Sequence, residues 1–158
     1  MFRIGFGFDT HALGEGLPFH LGGILIPYTH GPVAHSDGDV LIHAICDSLL
    51  GAAALRDIGY HFPDTSPEYK GIDSSILLKK TFQLLTESGF LISNIDTTLV
   101  LEKPHINPFI PQMIKKMAEI LEIGEDQISI KAKTSEKLGF IGRGEGVSAY
   151  AVSLIYPA

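Results

Sequence analysis

The sequence predicts an α+β sandwich in which a mixed sheet of four to five strands carries helices on one face. Segments rich in β-branched and apolar residues are interspersed with segments whose apolar residues recur at helical spacing, in the order ββ, α, α, β, α, β, β. The 158 residues suffice for one domain with its own core, and no repeat or linker divides them. We therefore expect a single domain over residues 1–158.

Two extended segments are expected near the N-terminus. Residues 2–13 contain the first, and residues 20–28 contain a second that is marked by Gly22-Gly23 and ended by Pro27. A hairpin between the two segments is one pairing that this pattern allows.

The first helix is predicted over residues 38–55, where apolar residues recur at helical spacing. Ser36 or Asp37 can serve as its N-cap. Residues 56–71 contain Gly, Pro, Asp and Ser throughout and predict a long loop. Loops of this length are more often functional than idle.

Two further helices follow the same spacing. Residues 73–88 predict the second helix, with Asp73 as its cap. Residues 107–123 predict the third, with Asn107 as its cap and Gly124 as its C-terminal stop.

Residues 94–102, 128–135 and 146–157 predict the remaining strands. The last strand is apolar on both faces: one carries Val147, Ala149, Ala151 and Ile155, and the other carries Tyr150, Val152, Leu154 and Tyr156. Strands of this type are buried on both sides, whereas three helices can cover only one face of such a sheet. We expect a ferredoxin-like arrangement whose other face packs against another subunit, in preference to coverage by loops.

The charge pattern bears on the kind of ligand. A net charge of −6 argues against nonspecific nucleic-acid binding, which depends on many Lys and Arg. Four of the twelve cations nevertheless fall within thirteen residues, namely Lys131, Lys133, Lys137 and Arg143. This cluster indicates one small anionic ligand or, alternatively, a solvated charged loop.

Other features predict the compartment. Cys46 is the only cysteine, so no intrachain disulfide forms, which suits a reducing compartment. The N-terminal residues lack the continuous apolar core of a signal peptide. The longest apolar run, residues 49–55, is far below the roughly 18–20 residues that cross a bilayer. We expect a cytoplasmic protein with no membrane partner.

Asp9 and His11 form a candidate pair of metal ligands. Side chains two apart on a strand point to the same side. His43 lies on the predicted first helix, in a polar stripe with Asp39 and Asp47 at i−4 and i+4. If that helix crosses the strand, two imidazoles and one carboxylate meet, as in catalytic Zn²⁺ sites. Chance spacing among seven histidines and eighteen acids is the alternative.

The motifs resemble a known family over essentially the whole chain. They are "RIGFGFDTH", "HSDGDVLIHAICDSLLGAAALRDIG", "FPDT", "IPQM" and "EKLGFIGRGEG", in order and spacing. Together they are similar to the 2-C-methyl-D-erythritol 2,4-cyclodiphosphate synthase family of the non-mevalonate (MEP) isoprenoid pathway. The resemblance implies a metal-dependent lyase that converts 4-diphosphocytidyl-2-C-methyl-D-erythritol 2-phosphate to the 2,4-cyclodiphosphate and releases CMP.

The resemblance also implies which residues do this. Asp9, His11 and His43 would bind Zn²⁺ or another divalent cation, and a second ion, Mg²⁺ or Mn²⁺, would bridge the substrate diphosphate beside Glu136. His35 and Thr134 would stabilise the transition state. The implied substrate contacts are Asp9, His11, His35, Ser36, Asp57, Ile58, Gly59, Phe62, Pro63, Asp64, Thr65, Ser66, Leu101, Glu102, Lys103, Pro104, His105, Ile106, Asn107, Ala132, Lys133, Thr134, Ser135, Glu136, Phe140 and Arg143.

Members of the family form homotrimers with active sites between subunits, which agrees with the doubly apolar last strand. Two other functions remain open. One is a catalytically silent trimer that binds an isoprenoid diphosphate in a central cavity through Phe8 and Arg143. The other is a zinc phosphohydrolase, although the sequence shows no evident second metal-binding cluster of His and Asp. Two local roles are also open. Asp39 and Asp47 can orient His43, and Glu145 can pair with Arg143.

Overall fold

A five-stranded mixed sheet forms the centre of the computed structural model, which describes residues 1–158. Its strand order is β4-β1-β7-β5-β6, with β5 and β6 parallel and all other neighbours antiparallel. This confirms the predicted fold class. The strands are β1 (Arg3–Glu15), β2 (Phe19–Leu21), β3 (Ile24–Ile26), β4 (His30–Pro32), β5 (Phe90–Val100), β6 (Ile128–Lys133) and β7 (Gly146–Pro157).

Five helices accompany the sheet, and short 3₁₀ turns lie at Pro67–Tyr69, Asn107–Phe109 and Glu125–Gln127. Among the helices, α1 packs on β1 and β7, α3 on β5, and α4 on β6. None of the helices combines the length and the apolar character that a bilayer crossing requires. The helices are α1 (Val40–Ala52), α2 (Ile58–His61), α3 (Ser74–Glu87), α4 (Ile110–Leu121) and α5 (Gly139–Gly142).

Helix α1 is buried on nearly every side. Only His43, Asp47 and Gly51 escape full burial, and they lie four residues apart on one stripe. The predicted polar stripe is therefore confirmed for His43 and Asp47. The predicted cap is wrong: α1 begins later than expected, and Asp39 caps it by accepting a hydrogen bond from the backbone N–H of Ile42 at 3.1 Å. Asp39 thus becomes a buried structural group.

Two glycines of β1 allow α1 to pack directly on the strand backbone. A Cβ atom at Gly5 would lie 1.8 Å from the carbonyl oxygen of Ser48, and one at Gly7 would lie 1.9 Å from that of Ala44. Side chains at these positions are therefore excluded. This close approach brings the first turn of α1 beside the far end of β1.

The predicted hairpin between residues 2–13 and 20–28 is wrong. The second segment folds on itself as the β2–β3 hairpin, while β1 pairs with β4 and β7. Gly22 and Gly23 make this turn with φ values of 59° and 79°, a backbone region open to glycine. Both of their N–H groups donate to the Asp39 carboxylate, at 2.9 and 2.7 Å. The buried Asp39 therefore fixes the turn.

The second predicted helix is confirmed with its cap, because Asp73 accepts from the N–H of Ser75 at 2.8 Å. The third predicted helix needs correction at both ends. Asn107 starts a 3₁₀ turn, and the α-helix begins only at Ile110. It ends at Leu121, and Glu122 caps it in the left-handed conformation (φ 55°), so Gly124 is not the stop. Gly124 instead precedes the next 3₁₀ turn, where its N–H donates to the Gln127 side chain at 2.8 Å.

The sheet face opposite α1 carries large apolar side chains that the single chain leaves exposed. On β1, Ile4 is 72% exposed and Phe6 64% exposed. On β7, Tyr150, Val152 and Tyr156 are also exposed, whereas Val147, Ala149, Ala151 and Ile155 are buried against the helices. Within one chain, β7 is therefore buried on one side only.

Candidate active site

Asp9, His11 and His43 meet at the end of β1 that lies beside the first turn of α1. Oδ2 of Asp9 is 3.0 Å from Nε2 of His11 and 2.9 Å from Nδ1 of His43. The two ring nitrogens are 3.3 Å apart. This confirms the predicted meeting of the three side chains, and they form a group that could hold a metal ion.

The geometry of the three ligand atoms fits a divalent cation. In tetrahedral zinc sites with bonds of about 2.0–2.1 Å, neighbouring ligand atoms are about 3.3 Å apart. The three separations here, 2.9 to 3.3 Å, are close to that value. Two imidazoles and one carboxylate are also a donor set typical of catalytic zinc, which leaves a fourth position for a substrate oxygen.

The electrostatics of this cluster keep Asp9 ionised. Burial alone would raise the pKa of Asp9, but the hydrogen bonds and charges of His11 and His43 outweigh it and lower the pKa to about 2. For His43, burial would lower the pKa, whereas the hydrogen bond and charge of Asp9 together raise it. The site therefore offers a carboxylate, and the proton on His43 competes with a metal ion.

Asp39 and Asp47 do not orient His43 through their side chains. The Asp39 carboxylate is used by Gly22, Gly23 and Ile42, and Asp47 accepts from the N–H of Ile58 at 2.7 Å. The acceptor predicted from the sequence is therefore wrong. The Nε2 atom of His43 instead lies 3.0 Å from Oγ of Ser74.

A cavity of about 300 Å³ opens beside the histidines. Its walls include most of the predicted substrate loop residues: His35, Ser36, Ile58, Gly59, Phe62 and Asp64, together with His11 and His43. Asp57, Pro63, Thr65 and Ser66 do not line it, and the Asp57 side chain instead caps α2 by accepting from the N–H of Tyr60 at 2.9 Å. The loop after α1 therefore reaches the metal cluster mainly through α2.

A second cavity of about 560 Å³ lies at the ends of β5 and β6. It is lined by Tyr28, Leu101, Glu102, Lys103, Pro104, His105, Ile106, Asn107, Ala132, Lys133 and Thr134. Most of the two predicted cytidine segments thus share one cavity, but Ser135 and Glu136 do not line it. Within one chain it has no lining residue in common with the first cavity.

Glu102 organises the loop after β6. Its carboxylate accepts from the N–H and the hydroxyl of Ser135, at 2.9 and 3.1 Å, and from the N–H of Lys137 at 3.3 Å. These bonds hold a turn in which Glu136 and Lys137 have positive φ. The Glu136 carboxylate accepts from the Thr134 hydroxyl at 3.0 Å, and it is not part of the Asp/His/His cluster.

Arg143 and Glu145 form an exposed bidentate ion pair. Nε of Arg143 lies 3.0 Å from Oε1 of Glu145, and Nη2 lies 2.9 Å from Oε2. The structural pairing considered for Glu145 is therefore present. Neither Phe140 nor Arg143 lines the two cavities.

Sequence reasoning missed several residues of the site. Tyr28 lines the second cavity, and Tyr69, Ile72 and Leu77 line the first. Ser74 also escaped notice, because "IDSS" is typical of a helix start and gives no sign of a contact with His43. Only the packing of α3 beside α1 reveals it.

The mixed sheet, its single helical layer and the Asp/His/His cluster beside a cavity define an α+β enzyme with a candidate metal centre. The model of the YgbB family matches residues 2–156. The chain belongs to the YgbB family, which confirms the resemblance found in its motifs.

Curated relatives and solved structures agree. The 2-C-methyl-D-erythritol 2,4-cyclodiphosphate synthase of Porphyromonas gingivalis is 57% identical over 157 residues, which cover 99% of this chain and 97% of that protein. The bifunctional IspDF of Campylobacter jejuni is 41% identical with a TM-score of 0.96; the match covers all of this chain but only 43% of that longer one. A Plasmodium falciparum IspF solved as a CDP complex is 36% identical with a TM-score of 0.86, covering 99% of this chain and 96% of that one.

Proposed function

We propose that this chain is a 2-C-methyl-D-erythritol 2,4-cyclodiphosphate synthase of the MEP pathway. Its substrate is 4-diphosphocytidyl-2-C-methyl-D-erythritol 2-phosphate. An oxygen of the 2-phosphate attacks the β-phosphorus, the bond from that phosphorus to the oxygen of CMP breaks, and CMP leaves with the bonding electron pair. The products are the cyclic diphosphate and CMP, and no water is consumed.

The observation that carries this proposal is the Asp9–His11–His43 cluster at the wall of a cavity also lined by His35 and Ser36. Phosphoryl transfer needs little covalent catalysis. It needs the attacking oxygen held in line and the charge on the phosphate oxygens neutralised. A cation-binding cluster at the wall of a cavity can provide both.

The proposed ion at Asp9, His11 and His43 is Zn²⁺, which when bound would polarise an oxygen of the β-phosphate. We propose Mg²⁺ or Mn²⁺ at the substrate diphosphate, with Glu136 as its protein contact. The chain's own groups prepare these sites. The lowered pKa of Asp9 keeps its carboxylate charged at neutral pH, and the Thr134 hydroxyl holds Glu136 by a hydrogen bond.

Several polar side chains are proposed to act on the reacting phosphates. His35 is exposed in the loop before α1, where its ring can donate to a phosphate oxygen. Thr134 lies at the edge of the second cavity and can donate in the same way once it leaves Glu136. The loop of Ile58, Gly59, Phe62 and Asp64 would enclose the methylerythritol phosphate and exclude water.

We propose the second cavity as the cytidine site. Backbone groups of residues 101–107 and 132–136 can read the edge of the base, and Pro104 shapes the wall. Lys133 adds a positive charge beside the phosphates. The CDP complex of the P. falciparum relative supports a cytidine-containing ligand.

A homotrimer would bring the two cavities together. The exposed face of Ile4, Phe6, Phe8, Tyr150 and Val152 is the natural interface, because large contiguous apolar patches mark protein contacts. We propose that the metal cluster of one subunit faces the cytidine segment of its neighbour. The cytoplasmic location stays a prediction.

The test is incubation of the purified protein with the cytidine-linked substrate, Zn²⁺ and Mg²⁺, followed by ³¹P NMR. We expect equal amounts of CMP and cyclic diphosphate. A linear hydrolysis product alone would point to the phosphohydrolase and contradict the proposal. Diphosphate binding that persists in His43→Ala without any turnover in the parent would favour the silent isoprenoid-binding trimer.

A further inference from the structure

The orientation of the His43 ring needs a partner on the side away from the metal cluster. Nδ1 of His43 faces Asp9, at 2.9 Å from Oδ2. Its other nitrogen, Nε2, points to the first residue of α3, where Oγ of Ser74 lies 3.0 Å away. Ser74 is fully buried. The contact is therefore shielded from water.

The direction of the hydrogen bond between His43 and Ser74 follows from the contact of Ser74 with Asp37. The Ser74 hydroxyl donates to Oδ1 of Asp37, and the Ser74 N–H donates to Oδ2 of the same carboxylate at 2.9 Å. The N–H of Asp39 donates to Oδ1 as well, at 3.1 Å. A carboxylate that takes three donors is acceptor-only. The single hydroxyl proton of Ser74 is thus used on Asp37.

The oxygen of Ser74 is then free only to accept, and the group that faces it is Nε2 of His43. An imidazole that donates from Nε2 carries its lone pair on Nδ1. That lone pair faces the Asp9 and His11 ligand atoms. We propose that Ser74, held by Asp37, is the positioning residue of the metal centre, because it takes the Nε2 proton and leaves Nδ1 of His43 to bind the cation.

Ser36 is the competing acceptor, and the geometry favours Ser74. Oγ of Ser36 lies farther from Nε2, at 3.3 Å, and already accepts from the N–H of Gly38 at 3.2 Å. It is also partly exposed and lines the substrate cavity, whereas Ser74 does not. Ser36 can therefore turn toward substrate while Ser74 keeps the ring in place.

This inference rests on the metal centre of the proposed function, so its test measures zinc binding and not turnover. Metal-free protein is titrated with Zn²⁺ against a competing chelator. Loss of an outer hydrogen-bond partner typically weakens metal affinity about 10- to 100-fold. We expect a loss of that size in Ser74→Ala and recovery in Ser74→Thr, which keeps the hydroxyl.

Two more variants separate orientation from structure. Ser75→Ala is the matched control, because Ser75 is the next residue of the same helix and its hydroxyl has no partner; zinc affinity should not change. Asp37→Ala removes the acceptor of the Ser74 hydroxyl. The hydroxyl proton is then free to point toward His43, and we expect zinc affinity to fall as in Ser74→Ala.

The second readout is the Nε2 proton of His43 in the zinc-loaded protein. In ¹H–¹⁵N NMR spectra it should exchange slowly with water in the parent and faster in Ser74→Ala. Equal zinc affinity and equal exchange in these two proteins would overturn the role of Ser74. The role of Ser74 would also be overturned if folded Ser74→Thr did not recover zinc affinity while Ser75→Ala lost it. A parent protein that binds no zinc would instead overturn the metal centre itself.

Discussion

The two faces of β1 differ in the size and polarity of the side chains that they carry. The face toward α1 carries Gly5 and Gly7 and then the candidate metal ligands Asp9 and His11. The opposite face carries Ile4, Phe6 and Phe8, all exposed in the single chain. One strand therefore presents two chemically different faces, because successive side chains point to opposite sides.

The contrast teaches how the metal cluster is placed. On the helix side, Gly5 and Gly7 have no side chains, so α1 packs directly against the backbone of β1. This short distance between helix and strand lets the His43 ring reach the Asp9 carboxylate. On the other side, large side chains supply the apolar area that the proposed trimer would bury. Three substitutions and one change of pH test this contrast.

Gly7→Ala should break the helix side of β1. The new Cβ would overlap the Ala44 carbonyl, and neither backbone can retreat without moving α1. Overpacking typically costs about 1–3 kcal/mol and occasionally more, and we expect the upper end here because the clash is with backbone atoms. We expect a large fall in the urea midpoint or loss of folded protein. Gly51→Ala is the control, because a Cβ there meets nothing within 4 Å and alanine favours the helix by about 1 kcal/mol. Similar stability of Gly7→Ala and the parent would contradict the direct packing.

His43→Ala should empty the metal cluster while leaving the fold intact. One of three ligands is lost, so bound zinc should fall below one ion per subunit. We expect CMP release to drop about 10²- to 10³-fold, the size typical of a lost charge-stabilising group. Elemental analysis and the CMP assay measure the two effects. His20→Ala, in β2 and outside both cavities, is the control. Full zinc content in His43→Ala would rule out the ligand role.

Phe6→Glu should break the opposite face without disturbing the site. The side chain is 64% exposed, so a single chain tolerates the charge, whereas an apolar interface between subunits does not. We expect a shift from trimer to monomer in sedimentation experiments, with the chain still folded. Leu25→Glu, which is 61% exposed on β3, should leave the trimer unchanged. A trimer that survives Phe6→Glu would place the interface elsewhere.

The pH dependence of stability should test the interaction of His43 with Asp9 at the end of β1. In the metal-free protein, the pKa of His43 is raised because the charge and hydrogen bond of Asp9 outweigh burial. Its stabilising effect is therefore complete below pH 6.5 and is lost as the pH rises through the raised pKa. Zinc needs the deprotonated ring, so stabilisation by zinc should grow over the same range. Thermal unfolding with chelator measures how the stability of the metal-free protein changes with pH, and unfolding with Zn²⁺ measures how the stabilisation by zinc changes with pH. The first should fall and the second should rise as the pH increases; changes of equal sign would contradict this account.

Much of the fold and the metal cluster follows from local sequence pattern. Helical spacing predicted α1 and α3, the Asp73 cap was found in place, and the two-residue spacing of Asp9 and His11 put them on one side of a strand. Strand pairing was harder to predict, because Gly22 and Gly23 indicate a turn but do not determine which two strands the turn connects. The predicted cap at Asn107 was wrong because a 3₁₀ turn precedes α4 there. The predicted stop at Gly124 was wrong because Glu122 already adopts the left-handed conformation after Leu121.

The order of amino acids supplies the available chemistry: two imidazoles and a carboxylate in motifs that identify a family, and a strand with small side chains on one face and large ones on the other. Tertiary structure decided which groups meet. Asp39 and Asp47 share the stripe of His43, yet they bind backbone N–H groups, while Ser74, thirty-one residues away, contacts the ring. The physical reason is that a hydrogen bond depends on a separation of about 3 Å between atoms, and only the packing of α1 between β1 and α3 sets those separations.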